Sequence, residues 1–493
     1  MSAEQVTDAA DTGSLRAGAI GLADVIFTSV TTMAPASAAA FSISIGAVYA
    51  GGSLTAGVVI ALVGCLFTAL SIGQMARHLP SAGGMYTYIA RGLGSKLGFL
   101  AGWGFAGAYP LVVPLVTVLF GSILGSTVAA HFGLSYNTWW VAGAVFCSLL
   151  VGSLNYFGVQ VASRFGLILG ASEILVMVAL SITLIVTAGK HNTFDVFTTH
   201  YATIPGFKGF PGVVAGSVYG ILAFIGFDAA APMAEETRDP RRNVGRAVVG
   251  SCLLVGLFYV LTTYAATVYF GAGRFSTFYT AGGGNPWNLI ATAVWGSGWI
   301  VLFIALLNSN AACSNGGGCA SVRAQWAMGR IRVLPAFFGA THPRWKSPHI
   351  AIFITFGVGL GLTLWLGEQY TPLVAFALIG TIITGAIVPI YIAVNLACIA
   401  FFWRERRSEF NVIKHVLFPV LGIVLFVPAF FTDLGIKLFK FVSPLAYPYS
   451  LAGIIIGAWY ALGVALLIYY AVRHPERIRE TARVFMETEP AAG

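Results

Sequence analysis

Charged side chains are scarce in this chain: only 9% of its 493 residues are Asp, Glu, Lys or Arg. Soluble domains carry about one quarter charged residues, so this scarcity excludes an ordinary water-facing surface. Apolar stretches of roughly 20 residues recur along the whole chain, and each is long enough to cross a bilayer as a helix. The sequence therefore predicts an all-α polytopic membrane protein.

The chain also lacks the signatures of a metal site or an intramembrane enzyme. Its six cysteines lie inside or beside apolar segments, and Cys313 and Cys319 have neither zinc-site spacing nor a nearby histidine. All eight histidines fall in predicted loops or at helix ends, so none supplies a base near the membrane midplane. We expect no metal, no cofactor and no enzymatic activity.

Twelve apolar segments divide the chain. The first dozen residues, MSAEQVTDAADT, contain no basic residue, which argues against a cleaved signal peptide and keeps the first segment in the mature protein. The segments run approximately over 17–50, 53–77, 96–128, 138–157, 161–189, 211–234, 245–271, 287–322, 349–367, 372–402, 414–432 and 450–472. Tails at 1–16 and 473–493 flank them.

The basic residues predict the orientation of these segments. With the N-terminus placed inside, only Lys190, Lys208, Arg274, Lys437 and Lys440 fall outside, and the other 22 of the 27 fall inside. The positive-inside rule therefore places both termini in the cytoplasm of a cell-membrane protein. The basic loops RDPRRNVGR and THPRWKSP are topology signals of this kind, and we expect no nucleic-acid partner beside membrane lipid.

Three carboxylates lie within the apolar segments, where an ionised acid costs several kcal/mol unless it is paired, protonated or faces a cavity. Asp228 follows a flexible FIG sequence, and Glu173 lies about 13 Å past Arg164 by helical rise. Either one is a candidate proton or cation site, against the alternatives of helix capping for Asp228 and structural pairing for Glu173. Asp24 either caps the first helix or forms a cytoplasmic gate with Arg323.

Two segments contain helix breakers. Pro35 lies in the middle of the first segment, in TMAPAS, and Gly226 and Pro232 interrupt the sixth, in IGFDAAAP. Breaks five helices apart are typical of inverted-repeat transporters, in which half-helix ends meet at a midplane substrate site.

The eighth segment carries an unusual density of polar side chains in LLNSNAACSNGGGCASVR. Asn308, Asn310, Ser314 and Asn315 could supply oxygens to an ion or a substrate, although small and polar residues also serve ordinary helix packing. Tyr109, Tyr219, Phe224 and Phe227 could form an aromatic lid over a substrate, or pack in the core.

Three stretches carry a family resemblance. The stretches are FIGFDAAAPMAEETRDPRRNVGRAVVGS, LPSAGGMYTYIARGLGSKLGFLAGW and SVRAQWAMGRIRVLPAFFGATHPRWKSP. They resemble regions of the amino acid–polyamine–organocation superfamily, and their sequences are most similar to bacterial amine and putrescine importers. The resemblance implies twelve helices in a five-plus-five inverted-repeat fold, with repeats at 17–189 and 211–402 and two further helices at 414–472. It implies a substrate site at Met33, Ala34, Ala36, Ser37, Phe224, Gly226 and Asp228. We add Thr32, Tyr109 and Phe227 as candidate substrate-binding residues from the sequence itself.

Two departures from the family pattern bear on the substrate and the coupling ion. Its first-helix segment is usually glycine-rich and binds a substrate carboxylate, whereas MAPAS has no glycine and a proline, which favours an amine. Glu173 stands where many members have a lysine that replaces a coupling cation. We expect import of a small amino acid or amine by alternating access, coupled to protons or to Na⁺, with an obligate exchanger as the alternative. The sequence leaves the oligomeric state open.

Overall fold

A computed structural model describes residues 20–81, 83–157, 162–234, 236–330, 334–345, 347–475 and 478. Most of the two predicted tails therefore lies outside the described residues. The described part contains fifteen α-helices of nine residues or more. They are α1 (Leu22–Thr32), α2 (Leu54–His78), α3 (Met85–Leu93), α4 (Ser95–Ala108), α5 (Val112–Phe132), α6 (Tyr136–Phe157), α7 (Ala162–Ala188), α8 (Phe210–Phe224), α9 (Pro240–Phe270), α10 (Pro286–Trp295), α11 (Trp299–Arg330), α12 (His349–Tyr370), α13 (Pro372–Arg404), α14 (Phe418–Asp433) and α15 (Leu451–Arg473).

Shorter helical turns link or extend these helices. Between α1 and α2 the chain continues through Pro35–Ser37, Ala38–Ser42, Ile43–Ile45, Ala47–Ala50 and Gly51–Ser53. The remaining short segments are Tyr109–Leu111, Gly189–His191, Phe194–Phe197, Phe227–Met233, Ala272–Thr280, Ala281–Gly284, Gly296–Gly298, Ala336–Gly339, Arg407–Glu409 and Ile413–Leu417. The described residues form one isolated β-bridge, which joins Ile20 to Thr237.

Eleven helical stretches of the described chain are long and apolar enough to cross a membrane. They confirm the all-helical, multi-pass architecture. The first, Leu22–His78, is 57 residues long and covers most of the first predicted segment and all of the second. At a helical rise of about 1.5 Å per residue, a stretch of this length is far longer than a hydrocarbon thickness of about 30 Å.

Helices that form the centre of the molecule approach each other at glycines. A Cβ on Gly46 would lie 2.9 Å from the Gly216 carbonyl oxygen, and one on Gly245 would lie 3.0 Å from that of Gly73. Association in a bilayer depends on such close van der Waals packing, because lipid is as apolar as the side chains it would replace. These contacts hold α8 against the end of the first segment and α9 against α2.

Polar groups reinforce the packing of α2 against α13. Ser71 Oγ donates to Asn395 Oδ1 at 2.6 Å, and Asn395 Nδ2 donates to Thr68 Oγ1 at 2.8 Å. All three residues are fully buried. Hydrogen bonds between membrane helices of this kind contribute roughly 1 kcal/mol each.

Asp433 is a third carboxylate buried in the interior, in addition to Glu173 and Asp228. Its position at the end of α14 indicated an exposed helix end, yet it is 1% exposed and neither carboxylate oxygen has a hydrogen-bond partner. Gly385 of α13 and Ile456 of α15 pack beside it. An unpaired buried carboxyl group opposes folding, so Asp433 costs the fold free energy at this position.

Replacing Asp433 with Leu should stabilise the protein. The change removes an unsatisfied polar group whose burial costs about 1–3 kcal/mol, and the unfolding temperature of the purified protein in detergent should rise. Glu173→Leu is the matched control, because Asn308 donates to that carboxylate and would lose its acceptor. A drop for Asp433→Leu as large as that for Glu173→Leu would mean that Asp433 has a partner.

Candidate functional site

The first interruption falls within the predicted TMAPAS sequence. Helix α1 ends at Thr32, and Ala34 adopts the left-handed conformation with φ 47° and ψ 63°. Pro35, which begins the next turn, has no amide hydrogen and disfavours a helical residue before it. A left-handed alanine costs about 1 kcal/mol or more. The surrounding packing must therefore hold this strained break in place.

The second interruption follows α8. Ile225 is not helical, with ψ 123°, and Gly226 has φ 117° before a 3₁₀ segment begins at Phe227. Glycine populates positive φ without the steric penalty of other residues, so the chain turns at this position. The second half of the segment contains Pro232 and continues as 3₁₀ helix to Met233.

The two interruptions are in direct contact. A Cβ on Gly226 would lie 2.8 Å from Thr32 Cγ2 and 3.2 Å from the Met33 backbone nitrogen. Ser29 of α1 accepts a hydrogen bond from the Ala230 amide at 3.0 Å. The absence of a side chain at Gly226 is what lets the two backbones meet.

Tyr259 of α9 joins the ends of both half-helices. Its hydroxyl donates to the Met33 carbonyl at 3.0 Å and to the Ala223 carbonyl at 2.9 Å. The neighbouring Thr32 carbonyl accepts from Cys313 Sγ at 3.3 Å. The last carbonyls of a helix have no partner within it, and in hydrocarbon the protein must supply one. Tyr259 and Cys313 meet that requirement.

A cavity of about 50 Å³ lies where the breaks meet. One water molecule needs at least ~10–15 Å³ of such space, so the cavity accommodates a few waters and must enlarge to accept an amino acid or amine. Its walls are mostly apolar. They consist of Thr32, Met33, Ala34, Ser37, Ala38, Ser42, Tyr109, Val112, Leu115, Val116, Leu119, Leu222, Ile225, Gly226, Asn310, Cys313, Gly317, Phe376 and Ile383.

Asp228 is held beside this cavity by two tyrosines. Tyr109 donates to Oδ2 at 3.3 Å, and Tyr391 donates to Oδ1 at 3.1 Å. The backbone amides of Gly226 and Asp228 also interact with the carboxylate. Asp228 is 3% exposed and Tyr109 lines the cavity, so the phenol connects the carboxylate to the cavity wall.

Glu173 of α7 is a second buried carboxylate and is 1% exposed. Asn308 donates to Oε2 at 3.4 Å, and Ser309 is a second hydrogen-bond partner. Ser309 Oγ in turn accepts from the Ser37 amide at 3.2 Å, and Asn310 Nδ2 donates to Ser37 Oγ at 2.6 Å. Ser37 and Asn310 both line the cavity. A continuous polar chain therefore runs from Glu173 to the cavity through the first break.

The polar residues predicted on α11 separate into different environments. Asn310 faces the cavity and its Oδ1 has no hydrogen-bond partner, as is also true of the buried Ser314 Oγ. Asn308 faces Glu173, whereas Asn315 accepts from Asn155 of α6 at 3.0 Å. Helical geometry accounts for this distribution, because consecutive residues point about 100° apart around the axis.

The aromatic residues predicted as a lid pack away from the cavity, with Tyr109 as the exception. Phe224 meets Tyr259 edge to face at 5.3 Å, and Phe227 lies 5.2 Å from the Tyr391 ring. Tyr219 stacks on Tyr49 at 5.9 Å. Phe224, Phe227 and Tyr219 are each 0% exposed, as is the predicted site residue Ala36. In this conformation they support the site from behind and do not line it.

Asp24 caps its own helix. Its Oδ2 accepts from the Gly21 amide at 3.0 Å. The described residues form three ion pairs, none of which joins Asp24 to the exposed Arg323. The capping alternative describes this conformation, and the Asp24–Arg323 gate has no contact in it.

Several residues of the site were not identified from the sequence. Tyr259 and Tyr391 each place one hydroxyl in an apolar helix, which is the signal that could have drawn attention to them. Nothing in the sequence separated Cys313 from the other cysteines, yet it lines the cavity and donates to the Thr32 carbonyl oxygen. Helix α5 contributes only apolar side chains to the cavity wall, and the sequence does not distinguish them from lipid-facing residues. They are Val112, Leu115, Val116 and Leu119.

This arrangement agrees with a known protein family. A family model described as amino acid permease matches residues 20–482. The chain belongs to the amino acid permease family. Its members are membrane transporters, so this permease is an integral multi-pass membrane protein and not an enzyme.

Characterised relatives of this permease differ in their solutes. The low-affinity putrescine importer PlaP of Escherichia coli is 29% identical over 360 residues, which cover 71% of this chain and 74% of the importer. The branched-chain amino acid permease BcaP of Lactococcus lactis is 26% identical, covering 93% and 94%. The serine/threonine exchanger SteT of Bacillus subtilis is 25% identical, covering 72% and 76%.

Among solved structures, the manganese transporter of Eremococcus coleocola has a similar fold. It superimposes with a TM-score of 0.57 over 93% of this chain and 95% of that one, at 13% identity. Likeness at this identity supports the fold of the permease alone.

Replacing Gly226 with Ala should destabilise the contact between the breaks. The added methyl would meet Thr32 Cγ2 at 2.8 Å and would sit on a backbone with φ 117°, so we expect a loss of about 1–3 kcal/mol. The unfolding temperature of the purified protein and the rate of solute uptake should both decrease. Gly102→Ala is the control, since nothing lies within 4 Å of its Cβ position. Unchanged behaviour of Gly226→Ala would contradict the close contact.

Proposed function

We propose that this permease is a secondary active transporter that imports a small amino-containing solute by alternating access. The observation that carries the proposal is the meeting of two interrupted helices at a cavity beside a buried carboxylate, Asp228. Half-helix ends at a central cavity are the typical substrate site of inverted-repeat transporters. The small volume of the cavity supports alternation, since the walls must move for a solute to enter or leave.

We propose twelve membrane crossings with both termini in the cytoplasm of a bacterial inner membrane. Leu22–His78 would cross twice, which together with one crossing by each of the ten other candidate spans makes twelve. The first ten crossings would form two inverted repeats of five, related by the breaks near Ala34 and Gly226. The distribution of basic residues supports the orientation.

The hydrogen bonds around the breaks favour a cationic amine over a substrate that depends on its carboxylate. Several amides beside the breaks already have acceptors within the protein, and Asp228 itself occupies two of them. The other occupied amides are Ser37 to Ser309, Ala38 to Ala34, Ala229 to Gly226 and Ala230 to Ser29. The carbonyl ends of α1 and α8 also carry partial negative charge, which attracts an ammonium group. The putrescine importer among the relatives is consistent with this class of solute.

A diamine should therefore stabilise the purified protein more than a branched-chain amino acid does. In a thermal-shift titration, we expect putrescine to raise the unfolding temperature at lower concentration than leucine. Asp228→Asn should weaken the putrescine response about tenfold or more, because a hydrogen bond to a charged group contributes roughly 1.5–3 kcal/mol. Stronger stabilisation by leucine, unaffected by Asp228→Asn, would contradict the amine assignment.

For coupling we propose that Glu173 carries the proton, with Asp228 contributing through the substrate. Glu173 connects to the first break through Ser309 and Ser37, so a change of its charge would reach the cavity wall directly. The geometry supports a cavity wall formed by Thr32, Met33, Ala34, Ser37, Tyr109 and Gly226, with available oxygens on Asn310 and Ser314. Asp24 and Arg323 have no contact in this conformation, and we propose that they close a gate in another one.

Proteoliposomes test the coupling. With an acidic exterior, the wild type should accumulate the amine above its external concentration. Glu173→Gln should equilibrate the amine without accumulating it, because it cannot release a proton. Glu368→Gln is the control, since it removes an exposed carboxylate at the end of α12. Full gradient-driven accumulation by both Glu173→Gln and Asp228→Asn would refute these roles. Accumulation that requires a Na⁺ gradient and not a pH gradient would identify Na⁺ as the coupling ion.

Exchange is the alternative function, and the serine/threonine exchanger among the relatives favours it. An obligate exchanger would take up labelled solute only into vesicles preloaded with unlabelled solute, with no response to a pH gradient. The same proteoliposomes distinguish the two functions when preloaded and empty vesicles are compared.

A further inference from the structure

Four arginines converge in one pocket remote from the central cavity. The pocket has a volume of about 400 Å³, and its walls are Arg77, Arg241, Arg242 and Arg246. All four side chains are exposed. Four guanidinium groups around one pocket repel each other, and the arrangement is stable only where solvent or an anion offsets that repulsion.

The packing of α2 against α9 explains why these side chains meet. Gly73 and Gly245 lie at the close crossing of the two helices, where a Cβ on Gly73 would lie 3.4 Å from the Gly245 Cα. Arg77 lies one turn from Gly73, and Arg241 lies one turn from Gly245. Because α2 ends and α9 begins on the same side of the molecule, those turns extend in the same direction. Arg242 and Arg246 are four residues apart and therefore share one face of α9.

The carboxylates of Glu405 and Glu409 are paired with other side chains. Glu409 pairs with His78 at 3.3 Å and with Arg406 at 3.7 Å, and Glu405 pairs with Arg91 at 3.0 Å. Within the described residues, none of the four pocket arginines has a carboxylate oxygen within the 4.0 Å of an ion pair. Arg241 and Arg242 also lie in the first turn of α9, where the helix dipole disfavours cations and favours anions. The local field therefore selects an anion.

We propose that this arginine pocket binds a phosphate group. Guanidinium groups present paired N–H donors that match phosphate oxygens bidentately, and several arginines around one pocket can contact a single phosphate together. The pocket lies at the ends of two membrane-spanning helices, at the level where lipid headgroups are found. The phosphate comes either from an anionic phospholipid headgroup or from free inorganic phosphate. The site is independent of the solute that the permease carries.

Thermal unfolding of the detergent-purified protein tests the proposal. Titrations use short-chain phosphatidylglycerol, short-chain phosphatidylcholine, inorganic phosphate and an acidic peptide of glutamates. We expect phosphatidylglycerol or inorganic phosphate to raise the unfolding temperature of the wild type. The double variant Arg241→Gln/Arg246→Gln should need at least a tenfold higher concentration for the same shift. Lys437→Gln/Lys440→Gln, which removes the same charge from exposed positions elsewhere, should respond like the wild type.

The arms separate the two sources of phosphate. A shift with phosphatidylglycerol alone assigns a lipid headgroup, and a shift with inorganic phosphate assigns the free ion. Equal shifts in the wild type and the arginine double variant, no shift with either phosphate compound, or a stronger response to the acidic peptide would each overturn the proposal. Arg77→Gln provides a second variant from the other helix if the double variant does not yield folded protein.

Discussion

In the hydrocarbon of a bilayer no water is present to bond a free backbone N–H or C=O group, so the protein must supply every partner. That constraint determines the structure at the centre of this permease. Helix α1 stops at Thr32 and α8 at Phe224, which leaves carbonyl groups unpaired at two places in the interior. Tyr259 and Cys313 satisfy the exposed carbonyls, and Ser29 accepts from the second broken segment. The breaks are possible because these side chains surround them.

The two carboxylates buried near the breaks have separate hydrogen-bond partners. Asp228 contacts Tyr109 and Tyr391, whereas Glu173 contacts Asn308 and Ser309. Asp228 therefore lies beside the cavity wall, whereas Glu173 is held between α7 and α11. A transporter that binds a cation at one group and a proton at the other would use the short segment between them, residues 33–37, to transmit the difference.

The sequence was sufficient to predict the helical membrane architecture and the positions of both interruptions. Pro35 and Gly226 act locally, through a missing amide hydrogen and a permitted positive φ, so their effects are readable without tertiary structure. Which way a side chain faces is a tertiary property. Phe224 and Phe227 pack behind the break, and Asn315 turns towards Asn155, because the rotation of each helix is set by its neighbours.

Asp433 illustrates the same limit from another direction. Its place at the end of α14 suggested contact with water, but the neighbouring α13 and α15 enclose it. The role of Tyr259 was equally hard to predict from the sequence, since an aromatic residue in an apolar helix usually packs in the core. Its importance depends on two carbonyls that lie 36 and 226 residues away in the chain.

The Tyr259 hydroxyl has a single hydrogen and two acceptors, one on each half-helix. While both carbonyls stay close, the hydrogen is shared between them and the pair behaves as one mechanical unit. A movement that separates Met33 from Ala223 would leave the Tyr259 hydroxyl bonded to only one of the two carbonyls. The other carbonyl would then have no hydrogen-bond donor. Such an alternative favours two discrete resting positions over a continuum of intermediate ones.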